Sequence, residues 1–153
     1  MRGQGVVVLY TEAGPTLAAL RTARRLTWES GGPVRLLVAV PVPYPLPLSA
    51  PAVRREFTER QCRQIAAQAA VAARIELCLC RDRRDALCER LEPGCVVVLG
   101  AGRRHWWGAS QRGLVRWLQA RGHSVVLAAP DKEAGKLTPS HSVVQFRMPN
   151  SNH

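Results

Sequence analysis

Five short apolar runs, each bounded by glycine, proline or charged residues, limit the folds open to this chain of 153 residues. Their approximate spans are 5–10, 34–41, 74–80, 95–100 and 124–129. The runs are rich in valine and leucine, which favours strands. They are also nearly continuous instead of alternating with polar residues, as is typical of strands buried on both faces. The sequence therefore predicts a parallel sheet covered by helices on both sides.

Helical segments separate these runs. Pro15 suits the first turn of the first helix, and Gly122 is placed to stop the last one, which is predicted from Gln111 to Ala120. Strict β-α alternation with right-handed crossovers predicts a doubly wound α/β fold, for which the orders 2-1-3-4-5 and 3-2-1-4-5 are the natural candidates. In the second order the loops after Tyr10 and Gly100 face one crevice, where such sheets bind ligands.

The predicted α/β unit occupies residues 1–130 as one domain. Residues 131–153 form a polar C-terminal tail, in which 142–146 is a candidate edge strand or docking segment. Every second residue of 41–47 is proline, which predicts a stiff loop. The apolar runs fall well short of the roughly 20 residues of a membrane span, and no secretory leader is recognisable, so we expect a cytoplasmic protein that binds no membrane.

The cysteines form an odd set of five without a CxxC pair, at positions Cys62, Cys78, Cys80, Cys88 and Cys95. No histidine lies beside them at the spacing of a zinc site. Cys78 and Cys80 flank Leu79 in a predicted strand and so share a face, where buried thiols act as small apolar groups. We expect reduced thiols and no metal site.

The charge of the chain is strongly positive, with 22 Lys and Arg against 11 Asp and Glu and a formal net charge of +11. Such a surface attracts phosphate, whether on nucleotides, nucleic acid or lipid. The arginines are scattered along the chain, which favours a solvated basic surface over a dedicated nucleic-acid face. Association with nucleic acid is kept as an alternative.

The fourth apolar run and the segment after it resemble a known signature. Residues 96–115 match, from end to end in spacing, a strand followed by G-x2-G-x9-G-[S/T], with Gly100 at the first glycine position and Gly113 at the third. This motif resembles that of the universal stress proteins, and the resemblance extends over about residues 5–129. It implies the order 3-2-1-4-5, a homodimer, and ATP binding in the members that keep the glycines, which let backbone amides approach phosphate.

Two of the four motif positions are changed. Arg103 stands at the second glycine position, and Leu114 stands where the family has Ser or Thr. The family commonly has an aspartate at the end of strand one, and this chain has Thr11, with Glu12 next to it. The resemblance thus predicts ATP binding that is weakened or lost, so no cofactor is assigned. The candidate site is Thr11, Gly100, Gly102, Arg103, Arg104, Arg112 and Gly113.

Alternatives for this loop stay open. Arg103, Arg104 and Arg112 are candidates to contact a phosphate in place of the backbone amides. The alternative is that the loop is a solvated basic turn that binds no ligand. Trp106 and Trp107 would stack a base, plug an interface with a partner protein, or fill the nucleotide crevice.

No catalytic set is identified. A dinucleotide fingerprint begins at Gly100 but has His105 at its third glycine position, and no nucleophile is placed beside that histidine. His123 is expected to be a surface turn residue. The prediction is a regulatory or stress-response binding module resembling the universal stress proteins, and not an enzyme. The alternatives are an adenine-nucleotide-binding domain with arginine contacts and a basic nucleic-acid-associated protein.

Overall fold

The computed structural model of the chain describes residues 5–28, 30–42, 44, 47, 55–101, 111–129 and 143–146. Within these ranges the strands are β1 (Val6–Leu9), β2 (Val34–Pro41), β3 (Ala73–Cys80), β4 (Val96–Gly100), β5 (Ser124–Ala128) and β6 (Val143–Phe146). The helices are α1 (Ala13–Trp28), α2 (Arg55–Gln68), α3 (Arg83–Arg90) and α4 (Gln111–Ala120). A helix follows each of the strands β1 to β4, as the apolar runs predict.

One sheet carries all of these strands, in the order β3-β2-β1-β4-β5-β6. The pairs from β3 to β5 are parallel, which confirms the predicted order 3-2-1-4-5. A sixth strand, β6, extends the sheet by pairing antiparallel to β5, with Val125 opposite Phe146 and Ala128 opposite Val143. It lies in the segment for which the sequence left an edge strand and docking as alternatives.

Strand β1 shows why the apolar runs are continuous. Val6 and Val8 face α1 and α2, in a core that includes Leu20 of α1 and Ile65 of α2. Val7 and Leu9 point the other way, into a second core formed with α3 and α4. Since successive side chains of a strand point to opposite faces, burial on both faces requires apolar residues at every position.

Gly122 ends α4 and turns the chain into β5. Its φ of +92° lies in the left-handed region that glycine adopts without strain. The amide of Gly122 donates to the carbonyl of Gln119, and the amide of His123 donates to the carbonyl of Leu118. These bonds satisfy carbonyls of the last helical turn, as expected of a glycine stop.

All five cysteines are free thiols, and all but Cys88 are buried. Cys78 and Cys80 pack with Ala39 and Ala86 between the sheet and α3, as the strand spacing predicts. None of the helices in the described ranges combines the length and the apolar character needed to cross a membrane.

Candidate functional site

The strand order predicts a crevice at the carboxyl ends of β1 and β4. The two strands are parallel neighbours, with Val6 opposite Val96 and Val8 opposite Val98, so the chain leaves both strands at the same edge of the sheet. Helix α1 begins at Ala13, only four residues after the last residue of β1. The amino end of a 16-residue helix is therefore at this edge, where its free amides favour negative charge.

A short network of hydrogen bonds fixes the connection between β1 and α1. The amide of Tyr10 donates to the carbonyl of Leu37 at 3.0 Å, which extends the pairing with β2 by one residue. The amide of Thr11 donates to Oγ1 of Thr16 at 3.0 Å, and the amide of Thr16 donates to the carbonyl of Glu12 at 2.9 Å. Because Thr16 is fully buried, this connection is held firmly against the core.

Thr11 is the residue of this connection with an unused polar group. Its Oγ1 is buried, and it has no hydrogen-bond partner in the part of the chain that the structure describes. Leaving a buried hydroxyl unpaired costs on the order of 1–3 kcal/mol, so such groups ordinarily have a protein, water or ligand partner. Thr11 is therefore a described residue of the candidate site whose hydroxyl is available to bond a ligand.

Gly100 is buried at the end of β4, where the first turn of α1 lies against it. A Cβ added to Gly100 would lie 2.7 Å from Cα of Pro15 and closer still to the carbonyl of that residue. A real Cβ does not approach backbone so closely, so glycine is required here by the packing of α1 on β4. The first glycine of the signature thus has a structural reason that involves no ligand.

Arg112 and Gly113 lie in the first turn of α4, with Arg112 exposed. Leu114, which follows them, is only 2% exposed and packs in the core beneath α3 and α4 with Leu87, Leu99 and Leu118. The position at which the family has a hydroxyl therefore points its side chain into the apolar core. Of the candidate residues, the structure places Thr11 and Gly100 at one sheet edge, and Arg112 with Gly113 at the start of α4.

Gly102, Arg103 and Arg104 lie outside the described residues, together with His105, Trp106 and Trp107. Their predicted roles stay predictions.

Tyr10 is a residue of this region that sequence reasoning did not select. It packs against the core under α1 and α2. Burial raises the pKa of its hydroxyl, with smaller contributions from Cys62 and Glu12. Burial also raises the pKa of the Cys62 thiol to about 11, with a contribution from Glu59. Both groups are therefore protonated near neutral pH, and neither is an activated nucleophile. The position of Tyr10, as the last residue of the first apolar run, was the available signal.

A second pair of titratable residues lies at the opposite edge of the sheet, before β4 and β5. Sγ of Cys95 and Nδ1 of His123 are 3.4 Å apart, and both residues are buried. The prediction that His123 is a surface turn residue is therefore wrong: the residue is only 8% exposed, because its ring packs against Cys95 just before β4. Burial lowers the pKa of His123, with a contribution from Arg121, and burial raises the pKa of Cys95. Near neutral pH both shifts favour the uncharged forms, a thiol beside a neutral imidazole.

Comparison with known structures identifies the fold of the chain. The structure of a universal stress protein from Archaeoglobus fulgidus matches this one with a TM-score of 0.50, covering 81% of this chain and 92% of that chain at 13% sequence identity. No protein-family model matches the chain, and no curated protein matches it. The chain therefore has the fold of a universal stress protein, as the spacing of the glycine signature predicts.

Proposed function

We propose that this chain is a regulatory or stress-response module of the universal-stress-protein type, which acts by binding and not by turnover, and in which ATP binding is weakened or lost. The observation that carries the proposal is the burial of Leu114. Where the signature supplies a hydroxyl, this chain places an apolar side chain in its core. A buried leucine gives no hydrogen bond to phosphate.

The remaining described positions support the same conclusion. The backbone of Pro15 occupies the space that a Cβ of Gly100 would need. Packing therefore explains this glycine, which does not by itself indicate a phosphate site. In the sequence, the second glycine position is held by Arg103, which lies outside the described residues, and a side chain in place of glycine is expected to limit close approach of a phosphate to the backbone. These features support the proposed weakening or loss of ATP binding.

A second candidate function is favoured by Thr11 and Arg112. The buried Oγ1 of Thr11 lacks a partner among the described residues, and Arg112 is exposed at the start of a helix. A hydroxyl at the end of β1 and a guanidinium near a helix amino end are groups that bind an adenine nucleotide or another phosphate compound. In this alternative, arginine contacts replace the glycine cradle.

Calorimetric titration with ATP tests the proposal. We expect no binding, or a dissociation constant above about 1 mM, which corresponds to a weak interaction of roughly −4 kcal/mol. Arg103→Gly should bind ATP more tightly than the parent if lost backbone access is the cause. Arg116→Ala, which removes an exposed arginine of α4 outside the signature, is the control for charge.

Restoring the hydroxyl with Leu114→Ser is informative only beside a stability measurement, because removing a buried leucine side chain costs on the order of 2–5 kcal/mol. Micromolar affinity of the parent for ATP, or nucleotide released from the purified protein on denaturation, contradicts the proposed loss. In that case Arg112→Ala should weaken binding at least tenfold, which would establish the arginine-contact alternative.

A further inference from the structure

The outer face of α1 combines positive charge with an exposed aromatic ring. Arg21, Arg24, Arg25 and Trp28 are spaced three, four and seven residues apart, which places them along one side of the helix. All four are exposed, and the side chain of Trp28 is 74% exposed. The sequence of α1 contains no acidic residue. We call these four residues the α1 outer face.

The contacts of Arg24 and Arg25 leave the charge of both side chains available. The guanidinium of Arg24 lies 5.9 Å from the ring centroid of Trp28, within the range of a cation–π contact. Nη2 of Arg25 donates to Oγ1 of Thr22 at 3.5 Å. Ion pairs between described residues include those of Arg35 and Arg74 with Glu76, and none among the described carboxylates is recorded for Arg24 or Arg25.

The opposite side of α1 is fixed in the core. Ala19, Leu20 and Ala23 are buried against the sheet and α2. The α1 outer face is therefore presented by a helix that is already folded and anchored, so a ligand need not order it. The buried apolar side is also unavailable for insertion into a bilayer, which is the usual way in which a basic amphipathic helix binds lipid.

We propose that the α1 outer face is a binding surface for single-stranded nucleic acid, in which Arg24 and Arg25 contact phosphates and Trp28 stacks on a base. An exposed aromatic ring among cations is the combination that such strands require, since every base has a face to stack and every linkage carries a charge. Trp117 is a weaker platform: it is partly buried, and its ring contacts both Arg84 and Arg121 at 5.3 Å. A duplex offers no unstacked base to Trp28.

This proposal goes beyond the proposed function and does not depend on it. Helix α1 rises about 1.5 Å per residue, so Trp28 at its carboxyl end is roughly 22 Å from Ala13 at the crevice. A strand bound at the α1 outer face would thus leave Thr11 and Gly100 uncovered, and ATP binding in the crevice would leave Trp28 exposed. The two surfaces are tested by different ligands and different variants.

The test is the fluorescence anisotropy of a labelled single-stranded oligothymidine of about 20 nucleotides, titrated with protein between about 50 and 200 mM salt. Trp28→Ala should weaken binding about fivefold or more, and Trp28→Phe, which keeps a stacking ring, should recover most of the loss. Arg24→Gln with Arg25→Gln should weaken binding about tenfold at low salt and reduce the slope of log K against log salt by about 1.4, or about 0.7 for each phosphate contact.

The matched control is Arg90→Gln with Arg116→Gln, which removes the same net charge from exposed positions on α3 and α4, across the sheet from α1. We expect this control to change the dissociation constant for the strand by less than about twofold, since charges farther away than a Debye length are screened. An equal loss of affinity for the strand in both double variants would overturn the proposal, because it would indicate only non-specific electrostatic attraction. No binding by the parent at low salt, tighter binding of a duplex of equal length, or binding to phosphatidylserine vesicles without binding to the strand would also overturn it.

Discussion

Gly100 is the residue at which β4 and the first turn of α1 come closest together. A side chain there meets the backbone of Pro15, which cannot move away as the end of a flexible side chain can. Gly14, in the same helical turn, has open space where a Cβ would lie and no positive φ. Packing therefore requires glycine at position 100 but not at position 14, although the sequence alone does not distinguish the two.

We expect Gly100→Ala to lower the free energy of unfolding by about 1–3 kcal/mol or more, the usual cost of overpacking. Gly14→Ala should leave stability unchanged or raise it by up to about 1 kcal/mol, because alanine favours a helix over the unfolded chain. Urea denaturation of both variants measures the difference. Equal stability of the two variants would show that the backbone of Pro15 does not pack against Gly100 as closely as the structure indicates.

His123 makes stability depend on pH. Its pKa is lowered from the usual 6.5 in the folded protein, mainly by burial and further by Arg121. As the pH falls below about 6.5, the unfolded chain therefore takes up a proton that the folded chain resists, and stability decreases. Glu76 behaves differently, because hydrogen bonds from Arg35 lower the pKa of its carboxyl group from the usual 4.5. Its contribution to the stability of the folded protein is therefore present above about pH 4.5 and is lost only at lower pH.

We expect the free energy of unfolding to fall between about pH 7.5 and about pH 5.5 in the parent, and to fall less in His123→Gln, which cannot take up the proton. Urea denaturation at the two pH values measures this difference. The window lies above the titration of Glu76, so that carboxylate contributes equally to both proteins. The same decrease in parent and variant would assign the pH dependence to other groups.

At the level of elements, the apolar runs allowed most of the fold to be predicted. A strand buried on both faces leaves a continuous apolar run, and β1, β2, β4 and β5 each carry one. The glycine signature then selected the order 3-2-1-4-5 from the two candidates. Strand β6 was harder to predict, because its pairing depends on the open edge of β5 and not on an apolar period of its own.

The candidate site was less predictable than the fold, for reasons that individual residues show. The spacing of the signature placed Gly100 at the end of β4 and Gly113 in the first turn of α4 correctly. It could not show that Pro15 occupies the space beside Gly100, since the two residues are far apart in sequence. The burial of His123 likewise depends on which groups pack around a turn, and local sequence does not encode that directly.

At the scale of the whole molecule, pairing of β6 with β5 determines which sheet edges are free. Among the described strands, β3 and β6 form the outer edges, and β5 is paired on both sides. A homodimer, which we propose for this chain from its resemblance, can therefore continue the sheet through β5 only if β6 is displaced. The charge of +11 opposes self-association at low salt, so any such contact is best examined near physiological ionic strength.

The final prediction is that β6 limits association through β5. Removing residues 131–153 should expose the edge of β5, whose unpaired amides and carbonyls then accept a strand from a second chain, and the mass measured by light scattering should rise with concentration more steeply than for the full chain. Val144→Pro with Gln145→Pro is the matched variant at full length: neighbouring amides point to opposite sides of a strand, so one proline removes a donor that faces β5. Both changes should increase association, and unchanged mass in both over the same concentrations would show that β6 does not protect this edge.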